Sequence, residues 1–434
     1  MSRAVAEVQT GPHAPVGAVV ADRVIAVAKA QRWLGLDVFR FFAVLMMVQG
    51  HVFTTLLDAT TKAQGWYPHH SAFHGYTAPM FLFGAGLAFG YTTFKKWDDH
   101  VAGGAFAWKR YKRYIWLLVL GYGLQLPTLS LTGLFSMDDP SRIARFFSVN
   151  VLQHIGVSLA IAQVLVKVLK SRRVFVAALA VLSAVCVFAA PWIWALDVSD
   201  LPVFMQGYIN AAGHEVVNDA GVARMVGRSY FPLVPWAGFT YAGIIIAYLV
   251  GLGGSASSIS ERAAWPFLGM ALLFMLVPIG IDRLGPLPWP VHNFWKTNPL
   301  FFFWRLGNIL LVLALLCHAE KFARARGWLD PETGWRILRA VLPWVKLIAA
   351  ESLVIYVAHL LVLHGSVLAP GLTRTGAIAS HGHGLGMATF VALAITGLML
   401  VVSKAWSELR KQKRAYLIVQ GTMIGAIVLL ALTR

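Results

Sequence analysis

Residues 32–53 read RWLGLDVFRFFAVLMMVQGHVF. An acid and a base, Asp37 and Arg40, open the run. Beyond them the chain stays almost purely apolar until His51. A stretch of about 20 such residues is long enough to cross the hydrocarbon core of a bilayer. In lipid a single spanning segment satisfies its own backbone only as a helix. A helix over Leu36–Leu57 is therefore predicted. On it Asp37 and Arg40 share a face at i, i+3, and His51 lies roughly 16 Å further along the axis than Arg40. The acid–base pair reads either as a snorkelling pair at the helix start or as a holder for an anionic group arriving from that side. An ionisable His51 deep in the span reads as functional.

The same pattern recurs along the chain. Further apolar spans are predicted at Tyr76–Phe94, Tyr114–Leu134, Val149–Leu169, Val174–Leu196, Tyr230–Val250, Ala264–Ile281, Pro299–Cys317, Val345–Ser366, Leu385–Ser403 and Ala415–Thr433. The fold class is all-α, a polytopic integral membrane helical bundle of about eleven transmembrane helices. Composition agrees. Of the 434 residues 58% are hydrophobic and 13% charged, against about a quarter charged in soluble domains.

Charge sets the expected orientation. With the N-terminus in the cytoplasm, 26 Lys and Arg fall in cytoplasmic segments and 9 in outer ones. This is the bias of a multi-pass protein of the plasma (inner) membrane, N-in and C-out. It also explains the net charge of +18 without a nucleic-acid partner. Residues 1–31 are expected to be a cytoplasmic tail with an interfacial helix at Val16–Ala30, and residues 32–434 the transmembrane domain. Cys186 and Cys317 lie in apolar runs, which speaks against a disulfide framework.

A second stretch, residues 68–87, reads PHHSAFHGYTAPMFLFGAGL. It places His69, His70 and His74 in a loop at the outer end of the His51 helix, with Thr77 and Pro79 opening the next helix. No HExxH pattern and no carboxylate at ligand spacing accompany them, so no metal is expected. Acid–base chemistry suits histidines better. Gly84, Gly86 and Gly90 behind them leave room for a ligand chain or a closely packed helix. Two further polar groups enter apolar spans. Gln153 and His154 lie in VLQHIG. Glu351, Ser352, Tyr356 and His359 follow each other at i+3 to i+4 steps in ESLVIYVAH, as one stripe on one helix. The outer segment 197–229 is expected to form part of a substrate mouth, and 318–345 an amphipathic basic connector.

In this order, these motifs resemble the transmembrane acyltransferase group typified by heparan-α-glucosaminide N-acetyltransferase and its bacterial relatives. The resemblance runs from Arg32 onward. The group's Asp-x-x-Arg-Gly followed by Asn or His is similar to Asp37, Arg40 and His51, with Phe41 in place of glycine. Its His before Asn-Gly looks like His70, with His74 in place of asparagine. Its Leu-Gln-Arg-x-Gly looks like Gln153 and His154, the histidine replacing arginine.

The resemblance implies an acyltransferase that takes acetyl-CoA from the cytoplasm and delivers the acetyl group to a sugar or other cell-envelope acceptor on the far side. Asp37, Arg40, Arg110 and Arg113 would serve the CoA, the latter two from a cytoplasmic loop over 95–113. His70 would be general base or covalent acyl carrier, with His51 and His74 beside it. Gln153, His154, Tyr356 and His359 would line the substrate channel. The implied partners are the bilayer, acyl-CoA and a carbohydrate acceptor, and a homodimer is compatible. A transporter or flippase with the polar helices along its path is the competing reading.

Overall fold

The computed structural model describes residues 33–211, 214–217, 223–226, 229–251, 256–285, 287–290 and 293–433. The expected cytoplasmic tail and the interfacial helix at Val16–Ala30 lie outside them, as does much of the outer segment 212–228.

The architecture is a helical bundle. Its main helices are α1 (Leu34–Leu56), α2 (Trp66–His74), α3 (Thr77–Lys95), α4 (Gly104–Gly123), α5 (Val151–Leu169), α6 (Arg172–Phe188), α7 (Leu233–Leu249), α8 (Ala256–Asp282), α9 (Pro299–Ala325), α10 (Arg336–Ala350), α11 (Ser352–His364), α12 (Leu385–Lys411) and α13 (Lys413–Thr433). A small antiparallel hairpin, β1 (His214–Val217) with β2 (Ala223–Val226), interrupts the all-helical expectation in the outer segment, pairing His214 with Val226.

Each span expected from the sequence overlaps helix at least in part, but length and apolarity single out fewer crossings. Among the described residues five helices meet both criteria: α1, α5, Ile259–Asp282 of α8, α9 and α12. A sixth candidate is the pair α10 and α11, bent by 76°. The continuous span expected over Val345–Ser366 is thus broken at Glu351, which terminates α10 and ion-pairs with Arg410 on α12. The expected single stripe from Glu351 to His359 accordingly belongs to one helix only from Ser352 onward. The third expected span, Tyr114–Leu134, is corrected too. The helix starts at Gly104 and ends at Gly123, so Arg110 and Arg113 sit on a helix rather than in a loop.

α1 is the organising element. It touches α2, α3, α9, α10, α11 and α12. Phe39 and Ala43 on it join a large core built mainly from α3, α5, α6, α7, α8 and α9. Val44, Met47, Val52 and Leu56 join a second core with α11 and α12. Phe81 and Tyr356 pack against both cores. α3 meets α7 through glycines. A Cβ at Gly86 would fall 1.9 Å from the Thr240 carbonyl oxygen, and one at Gly243 2.3 Å from that of Phe83. Of the two uses the sequence left open for these glycines, Gly86 and Gly90 serve close helix packing.

One buried carboxylate ties three helices. Glu320 of α9, 4% exposed, accepts from the Gly35 backbone N–H at 2.8 Å, from Ser260 Oγ at 2.7 Å and from Arg324 at 2.6 Å. Removing it strands the buried donors of α1 and α8. Glu320→Ala should therefore lower unfolding free energy by about 3 kcal/mol, read by thermal or denaturant unfolding in detergent. Glu408→Ala, which breaks only an exposed pair with Lys411, should change it by less than about 1 kcal/mol.

Candidate active site

The histidine stretch is a helix rather than a loop. α2 is bounded by Gly65 and Gly75, and its four-residue spacing brings His70 and His74 to one face. Their rings stack 6.3 Å apart at 12°. His69 points elsewhere and is exposed. Phe53, Trp66 and Tyr67 surround the His70 ring at 5.1, 5.7 and 5.9 Å. His74 lies against Gly50 of α1, where any Cβ would fall 2.0 Å from its ring. Thr77 makes no helix cap. Its hydroxyl lies 3.2 Å from His74 Nδ1 instead.

The row continues into the bundle. His74 meets His51 edge-on at 6.1 Å, and His51 meets His359 of α11 at 5.1 Å. Four histidines from α1, α2 and α11 thus follow one another, and Tyr356 packs edge-on to the last at 6.0 Å. The rings lie in sequence rather than around a centre. Among the described residues no three metal-ligating side chains converge.

Hydrogen bonds assign the protons at the inner end. His359 Nδ1 lies 2.7 Å from the Ile355 carbonyl, which only accepts, so Nδ1 carries a hydrogen. With the ring neutral its Nε2 is an acceptor, and His51 Nδ1 donates to it at 2.8 Å. The neutral His51 ring then keeps its lone pair on Nε2. At the outer end, His70 Nε2 lies 3.0 Å from Gln49 Oε1 and 2.9 Å from Gln49 Nε2, while its Nδ1 is buried without a partner. Where Gln49 Oε1 accepts, Nδ1 is the free base nitrogen. Burial lowers the His70 pKa below the ordinary imidazole value. It lowers that of His74 as well, with the His70 charge adding to the effect. Both rings are thereby favoured neutral at pH 7.

The remaining expected residues are dispersed. Asp37 is buried and Arg40 half-buried at the opposite end of α1. Arg110 donates to the hydroxyls of Thr93 at 2.8 Å and Thr92 at 2.5 Å and covers the Phe89 ring, while Arg113 is exposed one turn further on. Gln153 and His154 are fully buried at the start of α5. His154 Nδ1 donates to the Phe231 carbonyl at 3.0 Å, and Gln153 packs against Gly121. Among the described residues no hydrogen bond or ring contact joins these two to the histidine row. Gln49 and Gly50 are the site residues the sequence did not single out. A glutamine inside an apolar run was the available signal for the first. A glycine immediately before His51 was the signal for the second.

A search of curated proteins returns no match. A family model described as heparan-alpha-glucosaminide N-acetyltransferase, catalytic, matches residues 32–276, more than half of the chain. The match takes in Asp37, Arg40, His51, His70, His74 and His154, and leaves Tyr356 and His359 beyond its end. With an apolar helical bundle and this match together, the chain belongs to the membrane-embedded heparan-alpha-glucosaminide N-acetyltransferase catalytic family.

Proposed function

We propose that the protein transfers an acyl group, acetyl by family, from acyl-CoA to an amine or hydroxyl on a sugar or cell-envelope acceptor, with the histidine row as its chemical centre. The observation that carries this reading is the row itself: His51 Nε2 and, with Gln49 Oε1 accepting from His70 Nε2–H, His70 Nδ1 are base nitrogens on rings whose other nitrogens are engaged. Such an arrangement follows the logic of a catalytic base oriented by a second group. The Lys/Arg asymmetry favours the cytoplasm as the donor side. Arg40 and the basic face of α4 then serve the CoA phosphates.

His70 Nδ1 takes the acceptor's proton as the nitrogen or oxygen attacks the thioester carbonyl. The C–S bond breaks as the tetrahedral intermediate collapses, and the CoA thiolate leaves with the proton from the imidazolium. Gln49 Oε1 holds Nε2–H throughout and fixes the ring. His51 Nε2 is the nitrogen suited to carry the acyl group if transfer runs through a covalent histidine. The two routes differ in whether an acyl-protein forms before acceptor is added.

The test is release of CoA thiol from acetyl-CoA by the purified protein in detergent, with and without amino-sugar acceptors. Acceptor-stimulated release is expected. A protein that binds no acetyl-CoA and releases no thiol would overturn the reading and favour a solute transporter.

A further inference from the structure

We propose that α10 is an interfacial helix that binds anionic phospholipid, its apolar face entering the acyl-chain boundary and its cations holding the headgroup phosphates. The 76° bend at Glu351 turns α10 nearly perpendicular to α11. α10 packs on α1 and α12, and its buried residues are Val345, Ile348 and Ala349. The rest of its surface divides in two. Ile337, Val341 and Trp344 are exposed apolar residues, and at about 100° per residue they fall within roughly 60° of arc. Arg336, Arg339 and Lys346 are exposed as well. They fall within about 80° of arc on the roughly opposite side of the axis. Segment 335–350 contains no acidic residue.

Contacts with α12 set the depth. α12 starts beside the far end of α1, where His383 bridges to Leu57. It is apolar enough to cross a membrane, and it meets α10 where the Lys404 ammonium lies 5.7 Å from the centre of the Trp344 ring. From Leu385 to Lys404 the helix rises roughly 29 Å, close to the ~30 Å of a hydrocarbon core. Trp344 thus lies about one bilayer away from the His383 end, at a depth that suits an indole. Trp335, immediately before α10, is exposed too.

The charge around this helix is of one sign. Past Lys404 the chain adds Arg410, Lys411, Lys413 and Arg414 against one carboxylate, Glu408. Glu408 pairs with Lys411, and Arg410 with Glu351. A helix with cations on one face and aromatic and aliphatic residues on another lies in the headgroup region. Lys and Arg placed there attract anionic lipid, whereas a zwitterionic headgroup brings no net charge to meet them.

Lipid retention reads the surface without any turnover. In native mass spectrometry the full-length protein in neutral detergent should retain phosphatidylglycerol in preference to phosphatidylcholine at equal concentration. The triple variant Arg336→Gln, Arg339→Gln, Lys346→Gln should bind phosphatidylglycerol at least about tenfold more weakly, and should melt with the wild type because the three side chains are exposed. Removing the same charge by Arg142→Gln, Arg145→Gln and Arg283→Gln, none of them on α10 or α12, should leave binding within about twofold, since attraction to a headgroup fades within a Debye length. In nanodiscs, brominated phosphatidylglycerol should quench tryptophan fluorescence more than brominated phosphatidylcholine, and Trp335→Phe with Trp344→Phe should remove that difference.

Equal retention of the two lipids, or equal loss in the two charge variants, overturns the proposal. Displacement of phosphatidylglycerol by equimolar inorganic phosphate or CoA overturns it in favour of a soluble anion. A quenching difference that survives loss of both tryptophans places α10 away from the membrane surface and overturns it as well.

Discussion

Acceptor-dependent acyl transfer by the His70→Ala protein should fall about 100- to 10,000-fold, the usual contribution of a positioned acid–base group, with acetyl-CoA binding retained. His51→Ala should fall by a similar factor if the acyl group rests on His51, and by less if transfer is direct. Trapping with acetyl-CoA alone separates these cases, because only the covalent route leaves acyl-protein that His51→Ala lacks. In the proposed mechanism His359 acts through its hydrogen bond to His51, as a positioning residue. His359→Leu removes the acceptor for His51 Nδ1–H and frees the ring to take the other tautomer. His359→Gln restores an acceptor and should recover part of the loss.

The pH profile supplies an independent reading. In the proposed mechanism neutral His70 is the base, and burial lowers its pKa. The rate should therefore rise with pH through a midpoint below the ordinary imidazole value of about 6.5 and be flat by neutrality. An acid limb centred above that value, or equal turnover in wild type and both alanine variants, would remove these histidines from the chemistry.

The first helix was readable because a bilayer leaves the chain few choices. An apolar run of sufficient length must satisfy its own backbone, so α1 lies within two residues of its expected start and one of its expected end. The same argument failed where a long-range contact intervenes. Nothing local in Val345–Ser366 marks the 76° bend at Glu351. The partner that receives its carboxylate, Arg410, is on another helix. His70 and His74 were singled out for their type, but the stretch that carries them was read as a loop. Only as a helix do the two rings share a face. The His51–His359 hydrogen bond joins residues 308 apart in sequence, and a tautomer assignment needs the Ile355 carbonyl's position. Neither is encoded in spacing. Arg110 and Arg113 were expected in a loop, but their setting on α4 depends on where that helix begins. Gly103 and Gly104, both with positive φ, mark that point only once the backbone is known.

Gly86→Ala should destabilise the bundle by about 3 kcal/mol, the upper range for overpacking, whereas Gly84→Ala, two residues away on the same helix, should leave it unchanged or slightly more stable. Helix propensity predicts the reverse for Gly86, since alanine is favoured over glycine by about 1 kcal/mol within a helix. Packing decides otherwise. At Gly84 the nearest atom to a new Cβ is a Phe39 ring carbon at 3.6 Å, an ordinary contact. At Gly86 it is the Thr240 carbonyl oxygen at 1.9 Å, which is backbone and cannot rotate away. Gly243→Ala should behave like Gly86→Ala, because its Cβ would meet the Phe83 carbonyl oxygen at 2.3 Å and the Leu87 nitrogen at 2.7 Å. The two lesions force the same pair, α3 and α7, apart, so the double variant should lose less than the sum. Small residues at four-residue spacing are how helices approach closely where no hydrophobic drive between them exists. Moving α3 also moves Thr77, whose hydroxyl lies against His74, so transfer should decline in the Gly86 and Gly243 variants at temperatures where they remain folded. Equal melting of Gly84→Ala and Gly86→Ala in detergent would show that the α3–α7 contact tolerates a methyl group, and that these glycines serve the ligand path rather than the helix seam.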